Sequence, residues 1–141
     1  VTLWVVDASV VIKWYVPEDN YEAARAMRTA ETALAAPDLL FAETANILWK
    51  LVRRGEMTAS RAIEIIEEVA AAPFITISNQ SLAQDALDLA IATGLTAYDA
   101  SYVALAIRLD KILITADEKL VRKLTGTRSA NQVRLLADYT N

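Results

Sequence analysis

The chain contains no cysteine and no histidine. Disulfides, thiolate nucleophiles, Cys/His zinc sites and histidine-based triads are therefore excluded within it. With only three glycines and three prolines, it also lacks a Gly-rich phosphate loop. Neither G-x-x-x-x-G-K-[ST] nor G-x-G-x-x-G occurs, which argues against a nucleotide-binding domain. No run approaches about 18 uncharged apolar residues, so no membrane span is expected. The first residues show no basic segment and no small-residue cleavage site, so the expectation is a cytoplasmic protein. Any chemistry must run on carboxylates, hydroxyls, amines or a bound hard cation.

What is present is an apolar, mildly acidic chain. Its 141 residues fit one domain, 1–141, and 55% of them are hydrophobic. That is more apolar material than a monomer of this size readily hides, and it points to an oligomer or a covering partner. The formal charge of −4 and pI near 4.8 argue against a general nucleic-acid binder. They remain compatible with an enzyme that meets a polyanion through a metal and a local basic patch.

The periodicity predicts strands at LWVVD (3–7), FITIS (74–78), KILITA (111–116) and NQVRLLA (131–137), with LAAP (34–37) a short strand or a connector. Helices are predicted over 9–16, 20–33, 37–55, 58–72, 80–94, 97–109 and 117–126, with Pro37 in a first turn and Gly55 and Gly94 as stops. Alternating strands and helices indicate a three-layer α/β/α fold around a central, mainly parallel sheet. In such sheets the working crevice lies beyond the carboxyl ends of the strands. Asp7 ends the first strand, and Asp117 follows ILIT by two residues.

The tripeptide Asp-Ala-Ser occurs twice, at 7–9 and 99–101, each time at the mouth of an apolar run. Four acids stand out: Asp7, Glu43, Asp99 and Asp117. Asp7 and Asp117 suit helix N-caps, and Thr96 with Asp99 matches a capping box with Asp in place of Glu. Taken singly, capping is the commoner role for all three. Glu43 sits at the margin of a buried stripe formed by Leu40, Thr44, Ile47, Leu48 and Leu51. None of the four has Lys or Arg at helical i±3 or i±4 spacing, whereas Glu22, Glu64 and Glu118 have Arg25, Arg61 and Arg122 there. Two such charges about 5 Å apart repel by roughly 3 kcal/mol at an effective dielectric near 20. A divalent cation removes that conflict, and Mg²⁺ keeps several waters, so few direct ligands are needed. Ala8 and Ala100, with no bulk beyond Cβ, would leave room for the ion and its waters. The cap and metal readings coexist, since one Asp can serve both.

VVDASVVIKW, PDLLFAETANILWKL, TAYDASYVALA and ILITADEKL together resemble the PIN-domain ribonucleases, most closely the VapC toxins of VapBC toxin–antitoxin pairs. Order, spacing and length agree over essentially the whole chain. The resemblance implies Asp7, Glu43, Asp99 and Asp117 as an acidic quartet binding metal, with Thr115 in the hydroxyl position two before the last acid. It also implies a Mg²⁺- or Mn²⁺-dependent endoribonuclease acting on RNA, a homodimer, and a cognate VapB-like antitoxin seated on an apolar groove.

Lys119, Arg122 and Lys123, or Lys50, Arg53 and Arg54, are candidates to meet RNA phosphates, although a plain solvated helix face is the commoner use of such residues. Trp14, Tyr15 and Trp49 are candidates to stack bases or seat a partner; core or interface packing is the commoner use. An Asp-nucleophile phosphatase would want a second Asp two after the first, where Ser9 stands. A receiver domain would want an acidic pair in front of the phosphorylated Asp, and LWVV supplies none. The alternative outside enzymology is a PIN-like RNA-binding or assembly module.

Overall fold

The computed structural model describes residues 1–140. Five strands, β1 (Thr2–Val6), β2 (Thr32–Pro37), β3 (Ile75–Ile77), β4 (Leu113–Thr115) and β5 (Val133–Leu135), form one sheet in the order β3-β2-β1-β4-β5. Every pairing is parallel. The helices are α1 (Ala8–Val11), α2 (Tyr21–Ala26), α3 (Leu39–Arg53), α4 (Ala59–Ala71), α5 (Asn79–Thr93), α6 (Ala97–Leu109) and α7 (Glu118–Leu124). They flank the sheet in the expected α/β/α arrangement.

The central strands are apolar because both their faces are covered. Val5, Val6, Leu113 and Ile114 have no exposed surface. α6 packs along α5 and against β1 and β2, and its residues Ala100 to Ala106 are all buried. A helix apolar all round is what a sequence needs to lie between sheet and outer helix. Ala8 and Ala100 are buried in the same core. Their small side chains thus serve close packing, which corrects the reading that they leave room for an ion.

Three boundaries differ from the sequence reading. The helix predicted over 20–33 stops at Ala26, and its last residues join β2, where Thr32 pairs with Thr2 and Ala33 with Leu3. Good helix formers there yield to tertiary pairing. Pro37 ends β2 instead of opening α3, and Asp38 takes the cap position. The helix predicted over 9–16 is split into α1 and a 3-10 turn, Ile12–Trp14, in a stretch rich in β-branched side chains that crowd a helix.

Strand order reverses at β1, which has β2 on one side and β4 on the other. Chain connections leave this point in opposite directions and open a crevice beyond the strand ends. Asp7 stands there.

Candidate active site

Asp7 follows β1 directly and caps α1, its Oδ1 accepting from the Ser9 backbone N–H at 3.1 Å. The register aligns Val6 with Ile114, which sets Asp7 level with Thr115. Thr115 Oγ1 donates to Asp7 Oδ2 at 2.5 Å, and Ser9 Oγ donates to Oδ1 at 2.5 Å. Each hydroxyl also accepts a backbone N–H from the turn after β4: Ser9 from Ala116 at 2.9 Å, Thr115 from Asp117 at 3.1 Å. A hydroxyl has one proton, so both must spend it on Asp7. The carboxylate is gripped on both oxygens, and the grip reaches the turn that carries Asp117. Asp117 in turn caps α7, its Oδ1 accepting from Lys119 N at 2.9 Å and Leu120 N at 3.2 Å.

Asp99 lies in the first turn of α6, with its own N–H bonded to the capping Thr96 Oγ1 at 3.1 Å. It is the electrostatic hub of the acids. Its charge pushes up the pKa of both Asp7 and Glu43, and Asp117 pushes up that of Asp99. Burial is the larger cause for all three: Asp7 rises from 3.8 to about 6, against the lowering effect of its hydroxyl donors, and Glu43 and Asp99 rise too. Lys123, whose Nζ bonds the Gly94 carbonyl at 3.1 Å, partly offsets this at Asp99. Capping fixes where Asp7 and Asp117 stand, and around Asp99 lies a region in which neighbouring acids feel one another's charge.

That region is not a tight cage. Among the described residues, no three acidic side chains come close enough to hold an ion directly between them. The donor set is all carboxylate, with hydroxyl support and neither nitrogen nor sulfur. It fits a hard divalent cation bound partly through its own waters. A cavity of about 870 Å³ lies elsewhere, between α5, α6 and the turn after α7, and none of the five candidate residues lines it.

Trp14 is buried, donating Nε1–H to the Ala24 carbonyl at 3.0 Å and stacking on Phe74; it is a core residue, unavailable to stack a base. Trp49 is 53% exposed, with the Arg53 guanidinium 5.0 Å from its ring centre. Lys50, Arg54, Lys119, Arg122 and Lys123 are exposed on helices or their ends. The ion pairs predicted for Glu64–Arg61 and Glu118–Arg122 form at 3.2 and 3.9 Å. Arg25 instead donates to the Trp14 carbonyl and lies over the Tyr21 ring.

The profile of the PIN domain matches residues 4–124. The chain belongs to the PIN-domain family. It is 39% identical over 122 residues to the ribonuclease VapC3 of Pyrobaculum aerophilum, covering 84% of this chain and 92% of that one. The crystal structure of PAE2754 from Pyrobaculum aerophilum matches with a TM-score of 0.71 and 27% identity, over 96% of this chain and 85% of that one. VapBC-1 from nontypeable Haemophilus influenzae shares the fold alone, at 14% identity and a TM-score of 0.64, over 97% of this chain and 100% of the other.

The PIN-matched segment contains Asp7, Glu43, Asp99, Thr115 and Asp117. Two neighbours of these acids in the PIN fold were not singled out by sequence. Ser9 is visible only as the third residue of Asp-Ala-Ser, and its contact with β4 depends on strand order. Tyr102 is 1% exposed on α6, and burial first, then Glu43, Asp7 and Asp99, push its phenol far above its ordinary pKa. The i, i+3 spacing of Asp99 and Tyr102 was the available signal, since it sets both on one helix face.

Proposed function

We propose that the chain is a Mg²⁺- or Mn²⁺-dependent endoribonuclease, folded as one PIN-like domain over 1–141, and the toxin of a type II toxin–antitoxin pair. The observation that carries this reading is the coupling of Asp7, Glu43 and Asp117 through Asp99. Buried like charges with raised pKa values are a standing conflict that a cation resolves.

In this reading Asp7, Asp99, Asp117 and Glu43 hold the cation, in part through water. The bound cation supplies an activated water and neutralises charge on the phosphate under attack. The hydroxyls of Ser9 and Thr115 fix the Asp7 carboxylate so that its remaining lone pairs face the crevice. Glu43 orients the attacking water and accepts its proton, a task its raised pKa suits. Lys123, beside Asp99, offers a counter-charge to an RNA phosphate. Exposed Leu87, Ile91, Tyr98 and Ile107 on α5 and α6 support a covered surface, and we assign the chain a homodimer and a VapB-like antitoxin partner.

Incubation with structured RNA and Mg²⁺ should give internal cleavage that stops on chelation, and Asp99→Asn should slow it at least a hundredfold. The wide spacing of the acids favours a second reading, an RNA-binding or assembly module without nuclease activity. RNA binding with no cleavage across varied RNAs, in Mg²⁺ and in Mn²⁺, would select it.

A further inference from the structure

A hydrogen-bonded bridge joins the helix of Glu43 to the helix of Asp99. The parallel pairing of Pro37 with Ile77 ends β2 and β3 side by side, so α3 and α5 start as neighbours. Asp38 holds the cap position of α3 yet makes no side-chain bond to that helix. Its Oδ1 accepts instead from the Asn79 N–H at 3.0 Å, at the start of α5. In return, Asn79 Oδ1 accepts from the Leu39 N–H at 2.8 Å, at the start of α3. The Asn79 amide then reaches a third helix. Its Nδ2 lies 3.2 Å from the hydroxyl of buried Ser101 on α6. That hydroxyl gives its one proton to the Ala97 carbonyl at 2.8 Å, so it accepts from Asn79. Capping α3 needs only an acceptor at position 79; an amide is needed to donate to Ser101 as well.

The two Asp-Ala-Ser tripeptides thus do parallel work. Ser9, two after Asp7, bonds the turn that carries Asp117. Ser101, two after Asp99, bonds through Asn79 to the first turn of α3. There the Leu39 carbonyl is the helical partner of the Glu43 N–H. We propose that Asn79 is a positioning residue of the acidic site, tying the Glu43 helix to the Asp99 helix through Ser101 so that these two acids meet one cation at a set spacing. This rests on the metal-dependent reading above, and goes beyond it by placing control of that spacing in a polar bridge outside the acids. Asn79 touches neither ion nor substrate.

The test uses the full chain, Mn²⁺ or Mg²⁺ alone, and no RNA, well below every melting temperature. Asn79→Ala should bind Mn²⁺ about fivefold more weakly by calorimetry, less than the loss for a group that touches a metal ligand directly. Thr58→Ala is the control: it removes the side-chain cap of α4, where Thr58 Oγ1 accepts from Arg61 N at 3.1 Å, and should lower the melting temperature while leaving Mn²⁺ affinity unchanged. Ser101→Ala cuts the same bridge from its other end and should weaken Mn²⁺ binding alike, with the double variant no weaker than either single one. It also carries the test if Asn79→Ala does not fold. If the bridge variants bind Mn²⁺ as the wild type does, or if Thr58→Ala loses as much affinity as they do, Asn79 only supports the fold; this inference fails and the metal reading stands. If the wild type binds neither cation, the metal reading itself falls and takes this inference with it.

Discussion

Thr115 Oγ1 lies 2.5 Å from Asp7 Oδ2, joining residues 108 positions apart in the chain. With the Ser9 hydroxyl on the other oxygen, this makes a clasp across the ends of β1 and β4. The parallel register of Val6 and Ile114 is what brings the two ends level. A slip of one residue would turn Thr115 to the other face of the sheet and undo it.

The clasp predicts different costs for two conservative substitutions. Thr115 is fully buried, so Thr115→Val strands both Asp7 Oδ2 and the Asp117 N–H. Bonds to a charged group contribute about 1.5–3 kcal/mol each, so urea unfolding at pH 7 should show a loss of roughly 2–3 kcal/mol. Thr115→Ser keeps the hydroxyl and should lose about 1 kcal/mol, the share of one methyl group. Equal losses for the two would mean the hydroxyl is idle.

The raised acids predict an unusual pH dependence of stability. Asp7 has the ordinary carboxyl value of 3.8 in the unfolded chain and is pushed up to about 6 in the fold, chiefly by burial. Between those values the folded state binds more protons than the unfolded state, so this group's contribution is full below pH 4 and is lost as pH rises through 6. The gap corresponds to roughly 3 kcal/mol. Glu43 and Asp99 shift the same way. Cation-free protein should therefore grow more stable on going from pH 7 to pH 5. Saturating Mn²⁺ should reverse the trend, since the ion prefers the ionised acids. Asp99→Asn removes one raised acid and its push on two others, and should make the cation-free profile shallower, with burial keeping the rest; an equally steep profile in that variant counts against the coupling. Thermal melts across the range measure all three.

Lys123 adds a check on Asp99 that uses a different residue. Its ammonium is exposed, and it counters part of the rise at Asp99. Lys123→Met should move the Asp99 titration upward, seen by NMR of the carboxyl carbon, with little change in melting temperature. High salt should shrink the difference, as it does for exposed charges.

Much of this was legible in the sequence, and the exceptions have physical causes. The buried strands and α6 announce themselves because a segment covered on all sides must be apolar throughout. The acids stand out because surface acids such as Glu64 and Glu118 sit beside arginines at helical spacing, while Asp7, Glu43, Asp99 and Asp117 do not. β2 was half hidden, since Ala33, Ala35 and Ala36 are strong helix formers whose strand pairing with β1 is set by distant residues. Ser9 and Tyr102 were missed for a related reason. A hydroxyl's partner depends on which strand ends and helices become neighbours, and strand order is not a local property of sequence. Ala8 and Ala100 were misread because small size serves a tight core as well as an open site.

Asp117 lets the cap and the acid be separated, because one substitution keeps the first role and removes the second. Asparagine caps helices about as well as aspartate, and its side-chain oxygen can still accept from Lys119 N and Leu120 N. Asp117→Asn should therefore stay within about 0.5 kcal/mol of wild type, the usual range for a substitution that leaves a cap intact. Asp117→Ala should lose about 1 kcal/mol as the cap goes. If Asp117 also serves the cation, both variants should show the same reduced Mn²⁺-induced rise in melting temperature and the same loss of RNA cleavage, despite unequal stabilities. If Asp117→Asn keeps the full Mn²⁺ response and full cleavage, Asp117 is a cap and nothing more. The quartet would then be a trio of Asp7, Glu43 and Asp99.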